Sequence, residues 1–233
     1  GRAAEAEPSL KALADNAKDA APHVALADYY LLTARPDDAE KVLAVAAGLP
    51  GGYAPARSRV AALRFSRNER AVAYSVIDEV LQKEPKNPQA LIVKARFLLA
   101  EGKTDEALRF AREATTAAPE LAGAHYLLGT VHARRSETDE AIAAMTEVLR
   151  LNPKAAAAQL ELSRLELQRG GAQASVKAAQ DAVSLSANSP VARLMLARAQ
   201  MAAGDFVAAD AGMKVLLAEF PKAAPVQAQS GTL

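Results

Sequence analysis

Residues 136–153 read SETDEAIAAMTEVLRLNP, a short helix that carries its own start and stop. Thr138 offers a capping hydroxyl, and Asp139 and Glu140 suit the positive end of a helix. Ala141, Ile142, Met145, Val148 and Leu149 recur at helical spacing, and Pro153 blocks continuation. Residues 102–119 read GKTDEALRFAREATTAAP, with Asp-Glu-Ala and the closing proline in the same register. Thr104 there answers Thr138, and Pro119 answers Pro153. A segment written twice at one interval signals a repeat, and a repeat decides the fold before any single element does.

The interval runs along the chain. Pro85, Pro119 and Pro153 mark a 34-residue period, and Pro221 lies two further periods on. Ala39, Ala73, Ala107, Ala141 and Ala209 keep the same step, with Ser175 in the remaining slot. Another column is small throughout: Ala27, Ala61, Ala95, Gly129, Ser163 and Ala197. Six blocks follow without insertion, 20–53, 54–87, 88–121, 122–155, 156–189 and 190–223. Each divides into two helical patterns joined by a polar turn such as Arg135-Ser136-Glu137. Asn87-Pro88 and Ser189-Pro190 set a capping side chain before a proline at the first helical position. Thr104 and Thr138 are expected to cap second helices. Residues 1–19 fit the second helix of a preceding partial repeat, with Leu10, Leu13 and Ala14 on one face. Residues 224–233 are expected to be a poorly structured tail.

Composition agrees with helices alone. Hydrophobic residues make up 51% of the chain but aromatic residues only 4%, and much of the apolar share is alanine. Alanine is the best helix former and lets helices approach closely. Runs of period-two alternation are absent, so no strand is predicted. A formal net charge of +1 gives no general drive toward nucleic acid or a membrane surface. The absence of cysteine removes disulfides, thiolate zinc sites and cysteine nucleophiles together. No apolar run reaches the roughly 18 residues of a membrane span. The opening Gly1-Arg2 is read as an internal cut from a longer protein.

Antiparallel helix pairs at this period, with small residues at their contact, resemble the tetratricopeptide repeat. Leu128-Gly129, Ala141, Val148 and Pro153 carry the likeness most fully. The resemblance implies an all-α fold, a right-handed α-solenoid of about six repeats after an N-terminal half repeat. Positions where the family keeps an aromatic hold His23, Arg57, Leu91, His125, Gln159 and Arg193 instead. The family's later tyrosine survives only as Tyr30.

No catalytic constellation emerges. Asp37-Asp38, Asp105-Glu106 and Asp139-Glu140 recur at equivalent helix starts and complement the helix dipole. His125 and His132 lie about 10 Å apart along one helix, too far to share a metal. Ser163 and Ser175 stand in the small-residue columns and read as packing serines. No enzyme activity, cofactor or metal is expected.

The resemblance places first helices along a concave groove, and their charges are mostly basic. Arg59, Arg96, Arg134, Arg164 and Arg198 are therefore the expected partner-binding residues, together with Tyr126. Ile92, Leu99, Leu160, Leu167, Leu194 and Met201 are expected to reach the same surface. Guanidinium groups suit carboxylates and peptide carbonyls, so the expected partner is a protein presenting an acidic or extended segment. Nucleic acid is not expected, and self-association through uncapped ends is. The arrangement implies a noncatalytic interaction scaffold. Alternatives are a regulatory repeat region whose catalytic domain lies outside this segment, and a self-assembling scaffold. Ala25–Tyr30 and Arg35–Glu40 further resemble bacterial repeat lipoproteins of exosortase and exopolysaccharide systems, which implies an envelope or periplasmic setting over a cytoplasmic one.

Overall fold

The computed structural model describes residues 2–220, which form thirteen α-helices and no strand. After α1 (Arg2–Asp15) come six pairs: α2 (Ala21–Leu32) with α3 (Pro36–Ala46), α4 (Tyr53–Ser66) with α5 (Arg70–Lys83), and α6 (Pro88–Ala100) with α7 (Thr104–Ala117). Then follow α8 (Ala122–Arg134) with α9 (Thr138–Leu151), α10 (Ala156–Gln168) with α11 (Ala172–Leu185), and α12 (Pro190–Ala202) with α13 (Phe206–Glu219). Second helices begin at Pro36, Arg70, Thr104, Thr138, Ala172 and Phe206, which keeps the period of the sequence without a slip. The Pro221 anchor and the tail expected at 224–233 lie outside the described residues.

The turns obey the same step. Ala34, Asn68, Gly102, Ser136, Gly170 and Gly204 all have positive φ, between 57° and 87°. Each follows a first helix, and the next residue's N–H returns to the helix's last turn, as Glu137 does to the His132 carbonyl at 3.0 Å. This closure satisfies carbonyls that a helix end leaves unpaired. Left-handed backbone costs a residue with a Cβ about 1–2 kcal/mol. Part of that is offset because glycine loses more chain entropy on folding. Ser136→Gly should therefore stabilise the protein by about 0.5–1 kcal/mol and raise its thermal midpoint. A lowered midpoint would mean that the Ser136 side chain contributes something the turn geometry does not require.

Two compact units divide the chain, Gly1–Pro119 and Glu120–Leu233. In the first, α2 packs on α3, α4 on α5 and α6 on α7, while α3 meets α4 and α5 meets α6. One core cluster joins α1 to α4 through Ala14, Leu26, Tyr30, Leu43 and Ala56. A second joins α4, α5 and α6 through Ala61, Ile77, Val80 and Phe97. Phe65 stacks flat on Phe97 at 4.2 Å between ring centroids, and Tyr74 meets Phe97 edge-on at 5.6 Å. In the second unit α8 packs on α9, α10 on α11 and α12 on α13, with α9 against α10 and α11 against α12. Its cores gather around Met145, Val148 and Leu165, and around Leu194, Met213 and Leu216.

The small columns are where paired helices touch. Ala27, Ala61, Ala95 and Ser163 have no exposed surface, nor do Ala39, Ala73, Ala107, Ala141 and Ser175. Ser163 and Ser175 face each other, and each hydroxyl donates to the other's carbonyl, at 3.0 and 2.8 Å. Their Oγ atoms are 3.0 Å apart. Two hydroxyls thus do what two methyls do in four of the other repeats, the fourth repeat having Gly129 with Ala141 instead. Either serine alone changed to alanine should cost about 1 kcal/mol, because its partner loses a buried hydrogen-bonding neighbour. Ser163→Ala with Ser175→Ala rebuilds the alanine pair of four other repeats and should cost less than the two single changes together. Denaturant titration of all three variants reads this, and strict additivity would show that the serines act separately.

Some expectations need correction. Asn87 and Ser189 do cap α6 and α12, accepting from Ala90 N and Ala192 N at 3.0 and 3.3 Å. Thr104 and Thr138 do not cap; Lys103 and Glu137 occupy the cap positions, and neither side chain makes a capping bond to the helix. The tight left-handed turn delivers the chain into the helix one residue early, so each threonine is already helical. In α1, Leu10 and Ala14 pack inward, but Leu13 is 61% exposed because it lies off their stripe.

Candidate partner-binding surface

The basic character read from the first helices is largely consumed inside the protein. On α4, Arg59 forms a two-pronged pair with Asp28 of α2, at 2.6 and 2.7 Å, and donates to the Pro55 carbonyl at 3.1 Å. Arg64 pairs with Glu40 of α3 and with Glu69. Arg67 reaches Asp37 and Glu40, both on α3, at 2.5 and 3.0 Å. In the second unit Arg164 pairs with Glu161 at 2.9 Å on its own helix. Arg169 holds Glu166, and also reaches Asp139 of α9 at 3.4 Å. Arg193 pairs with Glu219 at 2.5 Å. The acids at the second-helix starts thus do more than complement a dipole. Asp37 and Asp139 each meet an arginine 30 residues later, on the following helix pair.

Of the six expected site residues, Arg59 and Arg164 are therefore engaged with carboxylates, and Tyr126 is half-buried against the Met145 cluster. Arg96, Arg134 and Arg198 are exposed. Arg96 and Arg134 have no ion-pair or hydrogen-bond partner among the described residues, one in each unit. Two of the apolar residues expected on this face, Ile92 and Leu194, are core instead, each 4% exposed. Helix rotation explains this: each lies three positions before a buried alanine of the small column, Ala95 and Ala197, and so shares its packed side.

The second-helix side carries a cluster that the sequence reading passed over. Glu79 of α5 accepts from the Tyr53 hydroxyl at 2.7 Å, from Arg57 at 2.7 Å and from Lys83 at 3.1 Å. The Lys83 ammonium also lies 4.1 Å from the centre of the Tyr53 ring. The tyrosine hydroxyl, then the lysine and the arginine, bring the Glu79 carboxyl down to about 2. A carboxyl lowered on folding adds stability above its unfolded pKa and loses it as pH falls toward the folded value. The signal in the sequence was Arg57 at a position where related repeats keep an aromatic.

His132 is buried, and its Nδ1 lies 2.6 Å from Glu137 Oε2, with Arg135 2.8 Å from the other oxygen. The His132 and Arg135 contacts hold the Glu137 carboxyl below its ordinary range. This is a turn-closing network. Among the described residues no cluster of three or more histidine and acidic side chains could hold a metal. No described helix is long and apolar enough to cross a membrane.

Three family models, each described as tetratricopeptide repeat, match residues 65–131, 126–191 and 191–223. Helix pairs at a 34-residue step and buried small columns are the physical counterpart of those matches. The chain belongs to the tetratricopeptide-repeat family. No curated protein matches this repeat protein at a significant level. Solved structures share its fold. PilW, described as a widely conserved type IV pilus biogenesis factor, superposes with a TM-score of 0.76 at 18% identity, over 90% of this chain and 97% of that one. PilF of Pseudomonas aeruginosa gives 0.74 at 19% identity, over 92% and 97%. MamA gives 0.64 at 19% identity, over 71% and 91%.

Proposed function

We propose that this tetratricopeptide-repeat protein is a noncatalytic scaffold whose first-helix face holds an acidic or extended segment of a partner protein. The observation that carries the reading is the contrast among first-helix arginines. Arg57, Arg59, Arg64, Arg164 and Arg193 are bound to carboxylates, whereas Arg96 and Arg134 are exposed without one. Surface pairs contribute only about 0–1 kcal/mol, so the paired arginines gain little by exchanging partners. An unpaired guanidinium has its fork free for a carboxylate.

Arg96→Gln with Arg134→Gln should reduce recovery of specific partners in a lysate pull-down by about tenfold or more. Far-UV circular dichroism should remain unchanged. An identical set of captured proteins at equal yield would overturn the assignment. The envelope setting rests on the resemblance of Ala25–Tyr30 and Arg35–Glu40 to exopolysaccharide-associated repeat lipoproteins. Fractionation of cells expressing the full-length protein tests it, and recovery in the cytosol alone would refute it. A second reading, self-assembly, is favoured by Phe206 and Val207, which are 67% and 84% exposed on α13. Sedimentation velocity across a concentration series decides that point, with a monomer throughout excluding it.

A further inference from the structure

The cluster around Glu79 has a counterpart one repeat along, and there it is dismantled. Moving one period on from Tyr53, Arg57, Glu79 and Lys83 gives Asn87, Leu91, Glu113 and Ala117. Only the acid is kept. In the earlier repeat the tyrosine ring, the arginine and the lysine close over the cleft between first and second helix. In the later one those three side chains are absent, and Glu113 turns instead to Arg109 on its own helix at 2.8 Å. An open cleft remains on the first unit, floored by Leu91, which is 2% exposed, with Leu108 and Ala117 along its wall.

Its rim is charged. Lys86 and Arg112 stand there exposed, with no carboxylate partner among the described residues. The rim's acids are engaged, Glu113 with Arg109 and Asp105 with a partner of its own. The unanswered charge at the cleft is therefore positive. Arg96, on the same first helix as Leu91, does not line it.

We propose that this cleft is a docking site for a partner-protein segment that presents a tyrosine flanked by acidic residues. The ring takes the place that Tyr53 fills in the preceding repeat, against Leu91, Leu108 and Ala117. Its hydroxyl meets Glu113 as that of Tyr53 meets Glu79. The flanking carboxylates meet Lys86 and Arg112, where a charged contact beside an apolar anchor gives both affinity and orientation. This surface is separate from the first-helix face, and either can fail without the other.

A fluorescein-labelled peptide, Asp-Glu-Tyr-Glu-Asp, titrated with the whole chain and followed by anisotropy, tests the proposal. Saturable binding is expected, and about tenfold weaker binding for the same peptide with alanine in place of tyrosine. Lys86→Glu with Arg112→Glu, both on the surface, should weaken it at least as much. Asn87→Tyr with Leu91→Arg and Ala117→Lys restores the whole plug of the preceding repeat, its ring included, and should abolish binding, with helicity checked by circular dichroism. Arg96→Gln should leave binding unchanged, which separates this cleft from the first-helix face. No saturation by about 1 mM protein at low salt would overturn the proposal. Equal affinity for the alanine peptide, or full binding by the Lys86→Glu, Arg112→Glu protein, would overturn it as well.

Discussion

Leu165→Ala should lower the unfolding free energy by about 2–5 kcal/mol, the range for emptying a well-packed core site. Leu165 has no exposed surface and packs with Ala141, Met145, Val148 and Ala158. Alanine neighbours are the reason to expect the upper part of that range. Ala141 and Ala158 have no side-chain length with which to fill a void, and their helices already approach closely through the small columns. Among the buried members of that cluster, Met145 alone has a long flexible side chain that can swing into the space. In repeat arrays each helix pair leans mainly on its neighbours. Amide exchange should therefore accelerate most in α9, α10 and α11. A denaturant midpoint shifted by less than about 1 kcal/mol, at constant slope, would mean that the site collapses around the deletion.

Gly52→Ala should be nearly as damaging, for a different reason. A Cβ built at Gly52 falls 1.8 Å from the Ala46 carbonyl oxygen and 2.6 Å from the Ala20 Cβ. The backbone angles there, φ −94° and ψ −22°, suit alanine well, so the cost is purely steric. Neither obstacle is a flexible side-chain end. Ala46 is at the end of α3, and Ala20, 2% exposed, accepts the Val24 N–H as α2 begins. The turn joining α3 to α4 must open, at an expected cost of about 1–3 kcal/mol or more. Gly48→Ala is the control. Its nearest neighbour would be the Val45 carbonyl oxygen at 3.6 Å, and it should change stability by no more than about 0.5 kcal/mol. Equal midpoints for the two variants would dismiss the steric account.

These two sites differ in how far the sequence announces them. Leu165 continues the i, i+4, i+7 stripe of Ala158 and Leu162, so its core position follows from helical spacing. Gly52 is not. In the sequence it is one glycine of a Gly51-Gly52 pair at a repeat junction, and either could have been the one without room. Gly51 has open space and a positive φ of 70°, whereas Gly52 has ordinary backbone and no space. Assigning conformational need to one and steric need to the other requires the approach of Ala46 and Ala20.

The proposed binding surface divides the same way. Arg59, Arg96 and Arg164 look alike in the sequence, each on a first helix within a basic series. Asp28 lies 31 residues from Arg59, and no local pattern marks it as the partner. Tyr126, expected as a groove aromatic, packs partly against the Met145 cluster, a contact that spacing along α8 does not announce. Conversely, the loss of Arg57 as Leu91 across one period is legible in the sequence, but that no other side chain closes the cleft is set by the packing of α6 and α7.

The sequence by itself determined the helix pairs, their constant step, the small columns between them and the proline-capped starts of α6 and α12. Those features depend on neighbours within a turn or two and on residues repeated in every block, so they survive translation into a one-dimensional pattern. Tertiary structure decided which arginines are spent, which turn residues carry left-handed backbone without glycine, and which repeat leaves its outer cleft unfilled. Ion pairs and clefts are settled by single atoms a few ångströms apart on different helices. At that scale the repeat places the backbone, and only the packed side chains show whether a charge has already been answered.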